Sequence, residues 1–406
     1  MELVTDVTNL FLTDYQARSA YSDQFGSNEE AIGQMRYGFF GEVGGLLSAV
    51  KRFHRETPLS SSKQEIALEE LGDALWYLAA LTRRVGVDFD QIGEEAVRHL
   101  QDRLKISNVE RPGKGVRFSQ IDGLIAFQID HITDDFGELL FELARQTSGL
   151  FQRFDTKLEE LKDPPSIQLY ARLLELLALV AASNGLSLAN VASKNLQKIE
   201  SRWKPVGAEY LPLFDSDDLE HEQLPRELEI EFIERSVNGR SFVVQRWKGV
   251  NIGDPLTDNR SQADDYRFHD VFHLAYVAHL GWSPVIRGLL KLKRKSRAAV
   301  DENEDGARAM IIEEGIATWI FNHARDKGEF FEDVVEGKLE YALLKQVQGM
   351  VSGYEVDKCP LWQWERAILE GFRVFRLLRQ HRSGIVKVNM HDQSIIYIPQ
   401  EISCER

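Results

Sequence analysis

The chain has 406 residues, of which 43% are hydrophobic and 28% are charged, a composition typical of a globular protein of two or three domains. Its formal net charge of −15 at pH 7 opposes non-specific binding to nucleic acid, so no nucleic-acid partner is expected.

Helical periodicity runs through the first 205 residues. The predicted helices lie over residues 8–25, 29–55, 63–85 and 89–105, and then over 119–160, 166–183 and 187–203. A linker rich in turn-forming residues, Ser107 to Gly115, separates the two groups. The longest apolar stretch, Leu173 to Ala182, is shorter than the roughly 20 residues that a membrane span needs, so no membrane association is expected.

The two groups of helices are similar in sequence. The segment from Gly86 to Arg103 aligns with the segment from Gly185 to Arg202 at a constant offset of 99 residues, and the apolar positions coincide. This long period predicts a duplicated helical unit folded as an internal pseudo-dimer, with copy one over about 8–105 and copy two over about 119–203. Such a unit is compatible with a monomer or with a further homodimer.

The composition changes after Lys204 to Gln223, a segment with two prolines and an acidic run. We interpret it as the linker, over 206–223, between a first domain over 1–205 and a second over 224–406. Predicted strands over 229–234 and 241–245 flank Asn238-Gly239, a strong hairpin signal, and a second hairpin joins 385–388 to 394–398. The predicted helices of this part lie over 264–280, 284–297, 305–326, 338–352 and 362–381. The predicted fold is therefore mainly α, an all-α tandem helical bundle followed by an α+β domain with small antiparallel hairpins.

The cellular compartment is predicted from the cysteines and the N-terminus. Only Cys359 and Cys404 occur, without paired spacing, and the first residues lack the basic start and apolar run of a secretory signal. A reducing cytoplasm without a disulfide framework is expected.

Three acidic residues suggest a metal site in copy one. Glu70 and Asp73 are three apart in an apolar helical run and therefore share a helix face, and Glu42 lies one helix earlier. Carboxylates that face a packed core are costly unless they are protonated, paired with cations or bound to a divalent ion. Mg²⁺ fits best, because it takes a few carboxylates and completes its coordination with water and substrate phosphates.

The same residues resemble the MazG-like, all-α nucleoside triphosphate pyrophosphatases. The likeness covers about residues 12–105 and rests on four segments: Asp14-Tyr15-Gln16, Gly41-Glu42-Val43-Gly44, the run from Glu69 to Ala80 and the run from Gly86 to Arg103. The resemblance implies a helical bundle in which acidic residues on two helices hold Mg²⁺, or Mn²⁺ in its place. It also implies hydrolysis of a nucleoside triphosphate between the α and β phosphates, with a monophosphate and pyrophosphate as products.

Two departures from the family pattern predict a composite site. A glutamate of the family falls on Gly45, and its usual Asn and Lys fall on Ala96 and His99 in copy one. Copy two carries Asn195 and Lys198 at those positions, but has Leu169 and Arg172 where copy one has Glu70 and Asp73. We therefore expect metal ligands from copy one (Glu42, Glu70 and Asp73) and nucleotide contacts from copy two (Asn195, Lys198 and Arg202). Glu138 or Glu142 would supply the absent ligand. Lys51 would contact the phosphates of the nucleotide. Asn195 and Lys198 could instead belong to an exposed helix face without a role in binding.

A second candidate site lies in the C-terminal part. Asp265, His269 and His273 are spaced four apart on one predicted helix, and Glu313-Glu314 follows in another. Two histidines with a carboxylate form a plausible transition-metal set, and the alternative is a buried hydrogen-bond network. The segments from Asp264 to Tyr276 and from Gly281 to Pro284 resemble an accessory domain that often follows MazG-like modules.

The sequence therefore predicts a cytoplasmic, Mg²⁺-dependent nucleoside triphosphate pyrophosphohydrolase. Two other functions are open at this point. The first is a nucleotide-sensing module that binds without turnover and regulates the C-terminal domain, because Gly45 removes one ligand. The second is an enzyme whose chemistry lies at His269, His273 and Glu314.

Overall fold

The computed structural model describes residues 9–26, 29–55, 62–106, 115–127, 136–152, 161–326 and 329–399. These residues are mainly helical, with a small antiparallel sheet in the C-terminal part, so the predicted fold class is confirmed. The chain divides into two compact units, Met1–Glu200 and Ser201–Arg406.

The N-terminal unit is built from helices. Their bounds are α1 Leu12–Ser19, α2 Glu29–Arg55, α3 Lys63–Arg84, α4 Phe89–Leu104, α5 Phe118–Phe127, α6 Phe136–Thr147, α7 Gly149–Gln152, α8 Pro164–Ser183 and α9 Leu188–Arg202. The bounds of α2 agree with the prediction, and those of α3, α4, α8 and α9 agree within two residues. The first helix is shorter than predicted, because a 3₁₀ turn over Ala20–Ser22 follows it.

The single helix predicted over 119–160 is wrong. A turn at Ser148 separates α6 from α7. At this turn the hydroxyls of Thr147 and Ser148 donate to the carbonyls of Leu143 and Arg145, a local bonding pattern that competes with helix continuation. Residues 128–135 and 153–160 of that prediction, and 107–114 of the predicted linker, lie outside the described residues.

The turns that follow α3 and α8 carry equivalent backbone hydrogen bonds. In the first turn the Val87 amide donates to the Thr82 carbonyl at 2.8 Å. In the second the Leu186 amide donates to the Ala181 carbonyl at 3.0 Å, which is the same bond displaced by 99 residues. This equivalence agrees with the duplication inferred from the sequence.

Helix α8 lies at the centre of the N-terminal unit, where it packs against α3, α4 and α6. Asp163 caps its start by accepting from the Ser166 amide, and prolines occupy its first turn, where their missing N–H groups cost nothing. By length and composition it is the one helix of the described chain that could cross a membrane, and 72% of its most apolar window is buried within the structure. Burial of this extent is typical of a core helix.

The C-terminal unit contains one five-stranded antiparallel sheet. Its strands are β1 Glu227–Val237, β2 Arg240–Trp247, β3 Val250–Leu256, β4 Ser383–Asn389 and β5 Ser394–Ile398, in the order β3-β2-β1-β4-β5. Both predicted hairpins are present, and the pairing of β1 with β4 joins them into one sheet. Strand β3 was not predicted from the sequence, since Gly253, Asp254 and Pro255 within it are typical of turns.

The helices of the C-terminal unit cover the sheet around α10, all of whose residues are buried. Their bounds are α10 Asp270–Leu280, α11 Pro284–Leu290, α12 Ala298–Asn303, α13 Ala307–Asp326, α14 Tyr341–Met350 and α15 Leu361–His381. Helix α10 begins six residues later than predicted, because Asp265 has a left-handed φ of 68° and a 3₁₀ turn follows it. Helix α11 ends at Leu290 rather than at 297, because Lys291 is also left-handed, with φ of 59°.

The segment interpreted as a linker folds into the C-terminal unit. Asp215 is fully buried there, where it accepts from the Leu224 amide and pairs with Arg226 and Arg287 at 2.8 and 2.7 Å. These partners hold the pKa of Asp215 below its usual range although burial alone would raise it. The acidic run therefore anchors this segment and does not act as a free tether.

Candidate functional site

Two of the predicted metal-binding carboxylates lie against each other in the N-terminal unit. Glu42 is on α2 and Glu70 is on α3, and the two carboxyl groups are joined by a hydrogen bond. Burial, the charge of Asp73 and this bond raise the pKa of Glu42 to about 8, and burial also raises the pKa of Glu70. Without a cation, Glu42 therefore holds a proton at neutral pH and donates it to Glu70.

Gly45 explains how Glu70 reaches this position. A Cβ atom on residue 45 would lie 2.1 Å from Glu70 Oε2, so the carboxylate occupies the space beside the glycine. The position where the family pattern has a further glutamate is therefore closed by a glutamate from the neighbouring helix.

Asp73, the third predicted ligand, is held by two residues of α9. Asn195 Nδ2 donates to Asp73 Oδ1 at 3.1 Å, and Lys198 Nζ lies 2.5 Å from Asp73 Oδ2 and 3.4 Å from Glu69 Oε1. Tyr15 of α1 donates to Asn195 Oδ1 at 2.7 Å and so orients the amide. The structure thus brings Asn195 and Lys198 to the carboxylates of copy one, as the composite site requires.

The corresponding pocket of copy two has a different chemistry. His99 is the repeat equivalent of Lys198, and Gln168 is the repeat equivalent of Glu69. A hydrogen bond of 2.7 Å joins these two residues. Arg172, at the position equivalent to Asp73, pairs with Glu142 and Glu175 at 2.6 Å each. An arginine therefore occupies the place of a predicted metal ligand in this copy and pairs with the nearby carboxylates.

Of three other predicted residues, one has its partners elsewhere and two are exposed. Glu142 belongs to the copy-two pocket, where Arg103 and Arg172 hold its pKa below the usual range although burial alone would raise it. Glu138, the other candidate for the absent ligand, is exposed on α6. Lys51 is exposed on α2, nine residues beyond Glu42 and therefore about 13 Å further along the helix axis.

Arg202 requires a correction. It is the last residue of α9, whose final two residues belong to the C-terminal unit, and there it is buried, pairs with Glu365 at 2.7 Å and donates to the carbonyls of Gly337 and Leu339. These contacts use both terminal nitrogens of its guanidinium, so Arg202 binds Glu365 and backbone carbonyls within its own unit. Its position in the repeat was not sufficient to predict its partners.

The second predicted site is also brought together, except for Asp265. His269 Nε2 and His273 Nε2 lie 3.6 and 3.5 Å from Glu314 Oε2. Asp265 lies before α10 and is bound by Arg267, Arg379 and Arg382, so its predicted membership of the cluster is wrong. The prediction assumed that Asp265 lies on the same helix as His269 and His273, but its left-handed backbone conformation places it before the helix.

Asp270 belongs to this second site and was missed by the sequence analysis. Its Oδ1 lies 3.1 Å from His269 Nε2, and its other oxygen accepts a hydrogen bond from Gln245 of β2. The pattern His-Asp-x-x-His over 269–273 is the signal that could have identified it, because it places an acidic residue directly after the first of two histidines on one helix face.

The two sites differ in how closely their ligand atoms converge. Within the described residues, one group of three His, Cys, Asp or Glu side chains has ligand atoms that all lie within 4.8 Å of one another, and it is His269, His273 and Glu314. Glu42, Glu70 and Asp73 do not form such a group, and Asp73 is paired with Lys198.

Comparison with known families identifies the C-terminal part. A family model described as the MazG C-terminal domain matches residues 209–401. The match supports the MazG-associated accessory domain that the resemblance implied. The match includes the second site and does not extend to the carboxylates of the N-terminal unit. Searches of curated proteins and of solved structures gave no significant match.

Proposed function

We propose that the N-terminal unit is a Mg²⁺-dependent nucleoside triphosphate pyrophosphohydrolase, which cleaves ribo- or deoxyribonucleoside triphosphates to monophosphates and pyrophosphate. The observation that carries the proposal is the pair of Glu42 and Glu70, where burial, the charge of Asp73 and the contact between the two carboxyl groups raise the pKa of Glu42 to about 8. Two partly buried carboxylates that share a proton beside a third are a site that a divalent cation can occupy in place of the proton.

The arrangement of the nearest polar groups supports the same proposal. Lys198 lies beside Asp73 and Glu69 and is the cation best placed to meet a phosphate oxygen of a nucleotide. Asn195, held by Tyr15, offers an amide next to Asp73 for positioning the substrate. In phosphoryl chemistry the protein contributes mainly position and charge, which these residues supply.

The cation has a defined role in this proposal. When bound, Mg²⁺ neutralises the charge of the phosphates and activates water, and Mn²⁺ substitutes for it. Glu42, Glu70 and Asp73 would hold the ion. Glu42 would give up its proton when the ion binds, and its ionised carboxylate would then be able to accept the proton of the attacking water.

The match of the C-terminal part to the MazG C-terminal domain supports the family link, because that domain is the expected neighbour of a MazG-like module. It does not bear on the substrate. The likeness of residues 12–105 to the pyrophosphatase family carries that part of the proposal.

The test is product identity. The purified full-length protein is incubated with a panel of ribo- and deoxyribonucleoside triphosphates and Mg²⁺ or Mn²⁺, and the products are separated by anion exchange. We expect nucleoside monophosphate and pyrophosphate in equal amounts, and only with a divalent cation present. Diphosphate with free phosphate, or equal turnover in excess chelator, contradicts the proposal.

One observation favours a second candidate, nucleotide binding without turnover. Position 45 carries no ligand and Asp73 is engaged by Lys198, so fewer carboxylates are available for a cation than in the family pattern. A sensor of this kind would bind nucleotide in calorimetry and leave it intact over hours, whereas an enzyme would release pyrophosphate under the same conditions.

A further inference from the structure

We propose that His269, His273 and Glu314 form a binding site for a zinc-class transition-metal ion in the C-terminal unit. The site is separate from the carboxylates of the N-terminal unit, and the proposal is independent of the pyrophosphohydrolase activity. It rests on the placement of the three side chains, on the groups that orient the imidazoles, and on one buried nitrogen for which the described residues offer no well-formed hydrogen bond.

The three ligand atoms converge. The Nε2 atoms of His269 and His273 lie 3.6 and 3.5 Å from Glu314 Oε2, and the set lies within 4.8 Å overall. Metal–ligand bonds to such atoms are about 2.0–2.2 Å long, so an ion between them needs only small side-chain movements.

Both imidazoles are oriented through the nitrogen that does not face Glu314. His273 Nδ1 lies 2.8 Å from Glu313 Oε1, and Glu313 is itself fixed by the Ser283 hydroxyl at 2.6 Å and the Val285 amide at 2.8 Å. His269 Nδ1 lies 2.9 Å from the Tyr266 carbonyl, and the Tyr266 ring stacks on the imidazole. Metal-bound histidines are oriented by partners of this kind on the second ring nitrogen.

The environment of His273 favours a metal site over a network that only stabilises the fold. Its side chain is fully buried, yet Nε2 makes no hydrogen bond among the described residues. Its nearest partner is Glu314 Oε2 at 3.5 Å, too long for a well-formed hydrogen bond, and a buried polar atom that lacks one costs stability. A cation between Nε2 and the Glu314 carboxylate would satisfy it.

The ligand types select the class of ion. Two imidazoles and one carboxylate suit zinc or a similar transition metal, whereas Mg²⁺ prefers oxygen ligands alone. Three protein ligands leave a fourth coordination position open, as in zinc sites that carry out chemistry. The Glu314 side chain is 42% exposed, so solutes can approach from this side, and the carboxylate of Asp270 beside His269 adds negative charge that favours a cation.

The experiment measures metal binding directly. Full-length protein carrying Glu70→Gln, to weaken the N-terminal site, is treated with chelator, and Zn²⁺ is then titrated in competition with a chromophoric chelator. We expect one tight site per chain, with absorption of a Co²⁺-loaded sample in the visible range. His273→Gln and Glu314→Gln should each lower Zn²⁺ affinity at least 100-fold, and Glu313→Gln about 10–100-fold.

The controls keep the result interpretable. His323→Gln removes a histidine of the same unit that lies outside the cluster, and its Zn²⁺ affinity should equal that of the parent. Glu314 is partly exposed, so its variant should remain folded even if the His273 variant does not. The proposal is overturned if the Glu70→Gln protein binds Zn²⁺ with a Kd above about 10 µM. It is also overturned if adding Glu314→Gln to that protein leaves the Zn²⁺ affinity unchanged. Either result leaves the pyrophosphohydrolase assay unaffected.

Discussion

The Glu70 carboxylate fills the space that a side chain at Gly45 would need, with 2.1 Å between Glu70 Oε2 and the position of a Cβ on residue 45. Gly45→Ala should therefore push Glu70 away from Glu42 without unfolding α2, because the displaced atoms are the end of a flexible side chain. A displacement of about 1 Å at a reacting centre can cost about 100-fold in rate, so we expect a loss of this order in pyrophosphate release.

Gly44→Ala is the matched control for Gly45→Ala. Gly44 lies on the same helix, and a Cβ there would meet no atom within 4 Å. This variant should keep wild-type activity and gain about 0.5–1 kcal/mol of stability from higher helix propensity. Equal activity of the two alanine variants would show that the position of Glu70 does not matter for turnover.

Glu70→Gln should abolish pyrophosphate release and leave the fold intact. The amide keeps the shape of the side chain but loses the charge that would bind a cation, and Glu70 is only partly buried. Circular dichroism checks the fold, and the product assay checks activity. Glu95→Gln, which removes a carboxylate on α4 that pairs with Arg98, should retain full activity.

Lys198→Gln should lower kcat/KM by roughly 10–100-fold, the value of one charge-assisted contact of about 1.5–3 kcal/mol to a phosphate. Lys198 is the cation beside Asp73, whereas Lys194 is exposed on the same helix and bonds only to Gln197 among the described contacts. Lys194→Gln therefore serves as the control. Equal kinetics of the two variants would remove Lys198 from the substrate site.

The sequence predicted most helix bounds and the approach of Asn195 and Lys198 to Asp73, because helical periodicity and the 99-residue repeat can both be recognised from the sequence alone. It could not predict positions where one side chain determines the backbone or the partner. The left-handed Asp265 shortens α10, and Arg202 turns to Glu365 although its repeat equivalent, Arg103, pairs with Glu142. The role of Asp270 was also missed, because the prediction considered only residues spaced four apart, whereas Asp270 directly follows His269.

His279 gives the C-terminal unit a stability that depends on pH. Burial, and then the charges of Arg366 and Arg373, lower its pKa to about 3. Because the folded pKa lies below the unfolded value of about 6.5, the unfolded chain binds the proton first and stability falls as the pH drops below about 6.5. Between pH 7 and pH 5 this group alone should cost about 2 kcal/mol.

The measurement for His279 is thermal unfolding at pH 7 and pH 5. His279→Gln removes the titrating group, so the variant should lose less stability over this interval than the wild type. The comparison of the two slopes isolates His279 from the carboxylates that also titrate. Parallel slopes would mean that the imidazole is protonated in the folded chain.

Arg172 should be structural, in contrast to its repeat equivalent Asp73. It pairs with Glu142 and with the fully buried Glu175, and Arg172→Gln would leave Arg103 as the remaining guanidinium near these two carboxylates. Removing one partner from a buried ion-pair network leaves charge uncompensated, so we expect a loss of about 2–4 kcal/mol in the free energy of unfolding. Arg98→Gln, which breaks an exposed pair with Glu95, should cost under about 1 kcal/mol.

Because copy two supplies Asn195 and Lys198 from α9 rather than from this pocket, folded Arg172→Gln protein should keep the pyrophosphohydrolase activity of the wild type. A selective loss of turnover at unchanged stability would instead assign the copy-two pocket to catalysis.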